Sequence, residues 1–419
     1  MPYSKGLKSY DIVGEILDKK SIFKNPEALY PEYIPSTLPY RENELMELAK
    51  YFKPVILNPG SICQKVFIHS FGKVGVGKTV TSIVFGRSIE VKAREKGVNI
   101  KYVHVNCHKA RTLYAILQEI AKGLNLPISP RGLSPLEIYS AINDFLEDKN
   151  MYAIIALDEF DYFVEYAGSD TAYFLIRTYD ESPEAVKRLN FILIARSMSS
   201  LSYLDAASRS YLLRHTIPFK PYTSIALKAI LEHRRDEAFV EGVVPDEVLE
   251  IIADAHGYDK GGEGNARAAI EALRIAGLLA ESEGSNVVTL EHARKGIAET
   301  DPNIVYIKDV LIDLSLHELL IYRAIIEVLE QSGARWARMG DVEEAYEMLC
   351  EVYGEKPRAH TQVYEYIKNL KRLNLIDAKI SGKGYRGKTT LIGVNAPLSE
   401  LKREVSELIE KMMSWGKMR

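Results

Sequence analysis

From Val66 onward the chain alternates short apolar runs with amphipathic stretches. Residues 66–70, 100–105, 152–157 and 191–195 are almost wholly apolar, which predicts strands buried on both faces. Between them, 79–93, 112–124 and 134–146 repeat apolar positions at helical spacing. Strand–helix alternation with such strands predicts an α/β fold, a parallel sheet with helices on both faces. Ahead of it, Pro31, Pro35 and Pro39 hold the chain extended, and 41–49 predicts an amphipathic helix that ends near Pro54.

Past Tyr222 the strand pattern stops. Residues 227–241, 246–256, 264–282 and 290–299 predict four helices, a glycine-rich loop at 257–264 parting the second from the third. Residues 302–313 read as a linker. Three helices follow at 315–332, 341–352 and 361–373, then two short strands at 376–380 and 390–394 joined by a basic glycine-rich loop. Three helices and a basic-tipped hairpin make a winged helix-turn-helix. A last amphipathic helix covers 399–413. The predicted domains are 1–220, a nucleotide-binding core with its leader; 221–300, a helical lid; and 301–419, the winged helix.

Composition changes little. Over 419 residues, 47% hydrophobic and 26% charged, the chain matches an ordinary globular protein. Nothing in it is long and apolar enough to span a membrane, and the N-terminus opens no secretion signal, so a cytoplasmic protein is expected. Cys63, Cys107 and Cys350 lie far apart, without metal-ligand spacing. Charge is more informative. The net value is -3, yet Lys356, Arg358, Lys368, Lys371, Arg372, Lys379, Lys383, Arg386 and Lys388 face only Glu365 and Asp377 between 356 and 395. A basic patch on an acidic chain points to a local polyanion partner.

Two motifs carry chemistry. Gly72, Lys73, Val74, Gly75, Val76, Gly77, Lys78 and Thr79 match G-x-x-x-x-G-K-[ST] between an apolar strand and a helix, and Val80 continues that helix. Its glycines let amides turn onto phosphate oxygens, Lys78 reaches the β- and γ-phosphates, and the Thr79 hydroxyl holds Mg²⁺. ATP or ADP is the expected cofactor. Some eighty residues on, an apolar strand ends in Asp158-Glu159, carboxylates suited to supporting the metal and orienting an attacking water. Arg267 opens a lid helix, where a cation could reach the γ-phosphate.

In the winged helix, Arg358 and the recognition-helix residues His360, Thr361, Gln362, Tyr364 and Lys368 are candidate double-stranded DNA contacts. Val363, Ile367 and Leu370 are spaced to face the core. Lys383, Tyr385, Arg386 and Lys388 on the wing suit phosphates or a minor groove. A protein-docking winged helix is the alternative use of this surface.

In this order the parts resemble the archaeal origin-recognition proteins, AAA+ replication initiators. Tyr33-Ile34-Pro35 with Arg41 resembles the family's leader over the adenine, and Gly264-Asn265-Ala266-Arg267 its second sensor. Residues 133–146 are similar to the extra helix that marks initiators, which makes Arg131 a candidate DNA contact. The resemblance implies a nucleoid-associated, origin-binding protein that helps recruit the replicative MCM helicase alongside other initiator paralogues. ATP would set the angle between core and lid, and the linker would pass it to the winged helix. A nucleotide-bound DNA-binding regulator, transcriptional or acting negatively on replication, is the other reading. Two departures imply weak ATPase activity: Arg196 stands where the family places a polar sensor, and Ala207 where it places an arginine finger, with Arg209 two residues away.

Overall fold

The computed structural model describes residues 21–127, 132–177, 179, 184–300, 307–381 and 389–416, the side chains of 200, 307–309, 415 and 416 excepted. It divides into two compact units, one of Glu32–Ile230 with Gly257–Arg267, the other of Met1–Pro31, Leu231–His256 and Ala268–Arg419.

In the first unit, α1 (Glu42–Leu57) precedes β1 (Lys65–Ser70) and α2 (Lys78–Glu95). Next come β2 (Ile100–Asn106), α3 (Leu113–Gly123), α4 (Pro135–Asp148), β3 (Tyr152–Asp158), α5 (Phe160–Ala167) and α6 (Ser169–Ile176). The unit continues with β4 (Leu189–Ile194), α7 (Ala206–Leu212), β5 (Thr216–Phe219) and the start of α8 (Ser224–Ala238). The strands form one parallel sheet in the order β2-β3-β4-β1-β5. β1, β3 and β4 are buried along their whole length, as their apolar runs predict. This order sets the carboxyl ends of β1, β3 and β4 side by side, where open α/β sheets bind ligands.

Four elements depart from what the sequence predicts. The apolar pattern does not predict β5, which is only four residues long, has Pro218 inside it and is followed by Lys220. Nor does it predict α5 and α6, each only eight residues long and too short for a clear helical period. α1 runs through Pro54 to Leu57; Lys50, whose carbonyl loses its helical partner there, lies on the exposed face.

The second unit takes the rest of α8, then α9 (Asp246–His256), α10 (Ala266–Ser282) from Ala268, and α11 (Leu290–Thr300). α12 (Ile307–Ile312) falls in the expected linker. α13 (Leu316–Ser332), a short β6 (Ala337–Arg338), α14 (Met339–Tyr353), α15 (His360–Arg372), β7 (Asp377–Ile380), β8 (Thr390–Gly393) and α16 (Leu398–Gly416) complete it. Ser315 and Glu318 close a capping box at the start of α13, whose apolar residues centre the winged-helix core. The β-sheet has three strands, β6-β8-β7.

The helices after Leu231 and the winged helix share this unit through direct polar contacts. Buried Arg335 donates to Glu250 at 3.0 Å and pairs with Asp254, two carboxylates one turn apart on α9. Buried Arg294 donates through Nε to the Val394 carbonyl at 3.0 Å, and the Glu291 carboxylate accepts from the Leu398 amide at 3.1 Å. The join therefore rests on packed side chains as well as on the expected linker.

Candidate functional site

The loop after β1 holds Gly72, Gly75 and Gly77 at positive φ, +78°, +68° and +88°. Only glycine adopts such angles freely. Within a peptide unit the C=O and N–H point in opposite directions. Carbonyls tied outward therefore present amides inward. The Gly75 carbonyl accepts from the Ala266 amide at 3.0 Å. The Asn265 side chain packs so close to Gly75 that a Cβ there would meet its Oδ1 at 1.7 Å. The segment 257–267 thus backs the loop and brings Arg267 into the same unit.

Lys78 opens α2 and donates to Ser70 Oγ at 3.0 Å; that hydroxyl lies 2.7 Å from the carbonyls of both Lys73 and Arg196 and donates its one hydrogen to either of them. Burial pushes the Lys78 ammonium below its usual range, opposed by Asp158 and Asp161 and reinforced by Arg196 and Arg267. A cation whose charge is disfavoured by burial and by two further cations marks a place where an anion is favoured. Beside it the Thr79 hydroxyl donates to Asp158 Oδ2 at 2.7 Å. These are hard oxygen donors of the kind magnesium takes. The residues present fit a magnesium-bound nucleoside polyphosphate.

Glu159 follows in the left-handed region, φ 56° and ψ 39°, an unusual setting for a side chain. Asn106 at the end of β2 donates to its Oε2 at 3.0 Å. No motif in the sequence marks Asn106. The sequence offers only a polar residue closing a strand; that this strand pairs with the one ending in Asp158 is decided by the sheet. Behind Asp158, His104 lies 3.5 Å from Oδ2; burial holds its imidazole below the usual range against the pull of Asp158.

Arg196, at the end of β4, is occupied on α5. Its Nε pairs with the buried Asp161, its guanidinium lies 4.4 Å from the centre of the Tyr162 ring, and Nη1 donates to the Tyr162 hydroxyl at 3.3 Å. Arg209 lies exposed on α7 and donates to the Leu204 carbonyl at 3.1 Å, and Ala207, two residues before it, is also exposed. In the leader, Tyr33 and Ile34 are half-buried and Pro35 is buried. Arg41, expected beside them as a nucleotide contact, is instead tied to the protein: its guanidinium donates to backbone carbonyls and Glu44. Lys73 pairs with Glu263 at 3.0 Å, Val74 is exposed, Val76 is buried, and Val80 sits in the first turn of α2.

In the second unit, Arg358, His360, Thr361, Gln362, Tyr364 and Lys368 are exposed, while Val363, Ile367 and Leu370 are buried as their spacing requires. His360 pairs with Glu343 of α14, and Lys368 lies 4.8 Å over the Tyr364 ring while donating to Glu365 at 2.7 Å. The Arg358 amide donates to the buried Tyr346 hydroxyl at 3.1 Å, which fixes the chain as it enters α15. Arg131 and the wing residues Lys383, Tyr385, Arg386 and Lys388 lie outside the described residues. Among the described residues, no helix is long and apolar enough to cross a membrane.

A phosphate loop and a strand-end carboxylate pair on a parallel sheet, with a helical segment and a winged helix after them, define an AAA+ ATPase-type protein carrying a helix-turn-helix. Family models bear this out: an AAA domain matches residues 64–200, a Cdc6 AAA+ ATPase-type lid domain 228–298, and a CDC6 C-terminal winged helix domain 309–404. The ORC1-type DNA replication protein 2 of Sulfurisphaera tokodaii is 45% identical over 392 residues, 93% of each chain. The crystal structure of Cdc6p from Pyrobaculum aerophilum superposes with a TM-score of 0.81 at 29% identity, covering 94% of this chain and 100% of that one. The Aeropyrum pernix ORC1 protein in complex with DNA gives 0.58 at 28% identity over 93% and 98%. The chain belongs to the ORC1/Cdc6-type family of archaeal AAA+ replication initiators.

Proposed function

We propose that this chain is a nucleotide-gated, origin-binding initiator that helps recruit the replicative MCM helicase, works alongside paralogous initiators on the nucleoid, and hydrolyses ATP slowly. The observation that carries the reading is the meeting of Lys78, Thr79, Asp158 and Glu159 at the carboxyl end of the sheet, in a chain whose recognition helix faces outward. Amides of the loop and the Lys78 ammonium hold the β- and γ-phosphates. Thr79 and Asp158 hold Mg²⁺, which neutralises phosphate charge when bound. Glu159 orients the attacking water once it leaves Asn106. Arg267 faces the same anion and couples it to α10. Slow turnover follows from two engaged groups, Glu159 on Asn106 and Arg196 on Asp161.

The proposed DNA surface is Arg358, His360, Thr361, Gln362, Tyr364 and Lys368, continued by the basic wing. The Aeropyrum relative, bound to DNA, supports it. Footprinting of origin and promoter fragments, with and without ATP, tests the reading. Nucleotide-dependent protection of origin DNA is expected, with affinity falling as log K against log salt at a slope near -4 to -5 if about four to six phosphates are neutralised. Protection confined to promoters would instead favour a transcriptional regulator, and many ATP turnovers per second would refute the slow switch.

A further inference from the structure

We infer that Arg41 is a positioning residue of the phosphate loop: it fixes the Val76–Gly77 peptide so that the Gly77 amide faces the phosphate. The inference rests on the reading of that loop as a nucleotide site and goes beyond it.

Arg41 stands just before α1 and is buried. Its guanidinium has five N–H donors in a planar fork. Nε and Nη2 both donate to the Val76 carbonyl, at 3.1 and 2.8 Å. Nη2 also donates to the Lys220 carbonyl at 2.7 Å, just past β5. Nη1 donates to Glu44 Oε1 at 2.7 Å and to the Tyr40 carbonyl at 3.5 Å. The guanidinium lies 4.0 Å from the centre of the Tyr222 ring and 5.0 Å from that of Phe219. Every nitrogen is thus engaged with protein.

The consequence reaches the loop through peptide geometry. The Val76 carbonyl and the Gly77 amide belong to one planar unit and point in opposite directions. A carbonyl held on a buried guanidinium leaves its amide no freedom to turn. The same logic operates one peptide earlier, where Ala266 holds the Gly75 carbonyl and orients the Val76 amide. Gly77 itself, at φ +88°, sits under the Tyr222 hydroxyl, where a Cβ would come within 2.6 Å. Arg41 and Tyr222 together wall the loop from behind. Amides oriented in advance spare a bound anion the loss of ordering them.

The arrangement acts on binding, because the β-phosphate meets the same amides before and during hydrolysis. Loss of such uniform binding raises KM and leaves kcat. Lysine keeps the charge at 41 but cannot bridge the Val76 and Lys220 carbonyls with a planar fork. The test measures ADP affinity by calorimetry, and KM and kcat for ATP, in the full-length wild-type chain, Arg41→Lys and Glu44→Gln, with magnesium present. Arg41→Lys is expected to raise both the ADP Kd and the ATP KM about tenfold or more, with kcat within about threefold. Glu44→Gln, which touches Arg41 but not the loop, is expected to stay within about threefold on all of them. A purely structural loss would lower the unfolding midpoint and the active fraction, hence apparent kcat, without that pattern. An ADP Kd unchanged in Arg41→Lys, or a fall in kcat at constant KM, would overturn the inference. A wild-type chain that binds no ADP would instead overturn the nucleotide reading. Should Arg41→Lys fail to fold, Arg41→Gln, whose amide can still donate to one carbonyl, takes the same measurements against the same outcomes.

Discussion

Replacing Asn106 by Ala should speed ATP hydrolysis. Asn106 Nδ2 donates to Glu159 Oε2 at 3.0 Å, and Glu159 is partly exposed in a left-handed backbone conformation. A hydrogen bond to a charged group contributes about 1.5–3 kcal/mol net, and partial exposure puts this one near the lower end. About 1.5 kcal/mol is roughly a tenfold change in the population of Glu159 free to orient water. The turn that carries Asn106 survives the change, because its carbonyl still accepts from the Lys109 and Ala110 amides at 3.2 and 3.0 Å. Asn106→Asp keeps the acceptor used by the Lys109 amide and sets a like charge against Glu159, so it should release Glu159 too. Single-turnover hydrolysis of radiolabelled ATP, with protein in excess, isolates chemistry from product release. Both variants should run about tenfold faster at unchanged ATP affinity. Two variants that bind ATP normally yet hydrolyse it no faster would refute the view that Asn106 restrains Glu159.

Two further outcomes follow from polar groups that are wholly or partly withdrawn from solvent. The His104 pKa is held below 6.5 in the folded chain, chiefly by burial, so the unfolded chain binds that proton more readily. The stability linked to it is present above about pH 6.5 and is lost as pH falls; His104→Gln should lose less of its thermal midpoint than wild type between pH 7.5 and 5.5, and equal losses would contradict this. Arg335→Ala should destabilise the second unit by about 2 kcal/mol, since it removes a buried guanidinium that bridges the partly exposed Glu250 and Asp254 carboxylates. Calorimetry should show a drop of several degrees and hydrogen exchange a loss of protection in α9; a shift under about one degree would discount the contact.

Periodicity found the strands β1 to β4 because each is mostly apolar over a short run, a property of consecutive residues. It missed β5, whose pairing with β1 supplies most of what makes it a strand. The basic wing shows in charge spacing alone, while the exposure of the recognition helix follows from Val363, Ile367 and Leu370 falling on one side.

The phosphate loop, the carboxylate pair and the helix-turn-helix are legible in the chain because each depends on residues close in sequence: glycines that permit positive φ, an apolar strand ending in Asp158-Glu159, a heptad-like core face. What those residues touch is another matter. Arg41 meets Val76 across 35 residues and Lys220 across 179, and Asn106 meets Glu159 across 53. Such contacts depend on strand order and on which loops share one end of the sheet. No local spacing encodes that order, since any one strand could pair with several others at similar energy. Only the folded sheet decides that Arg41 backs the loop, that Asn106 holds Glu159, and that Arg196 answers to Asp161.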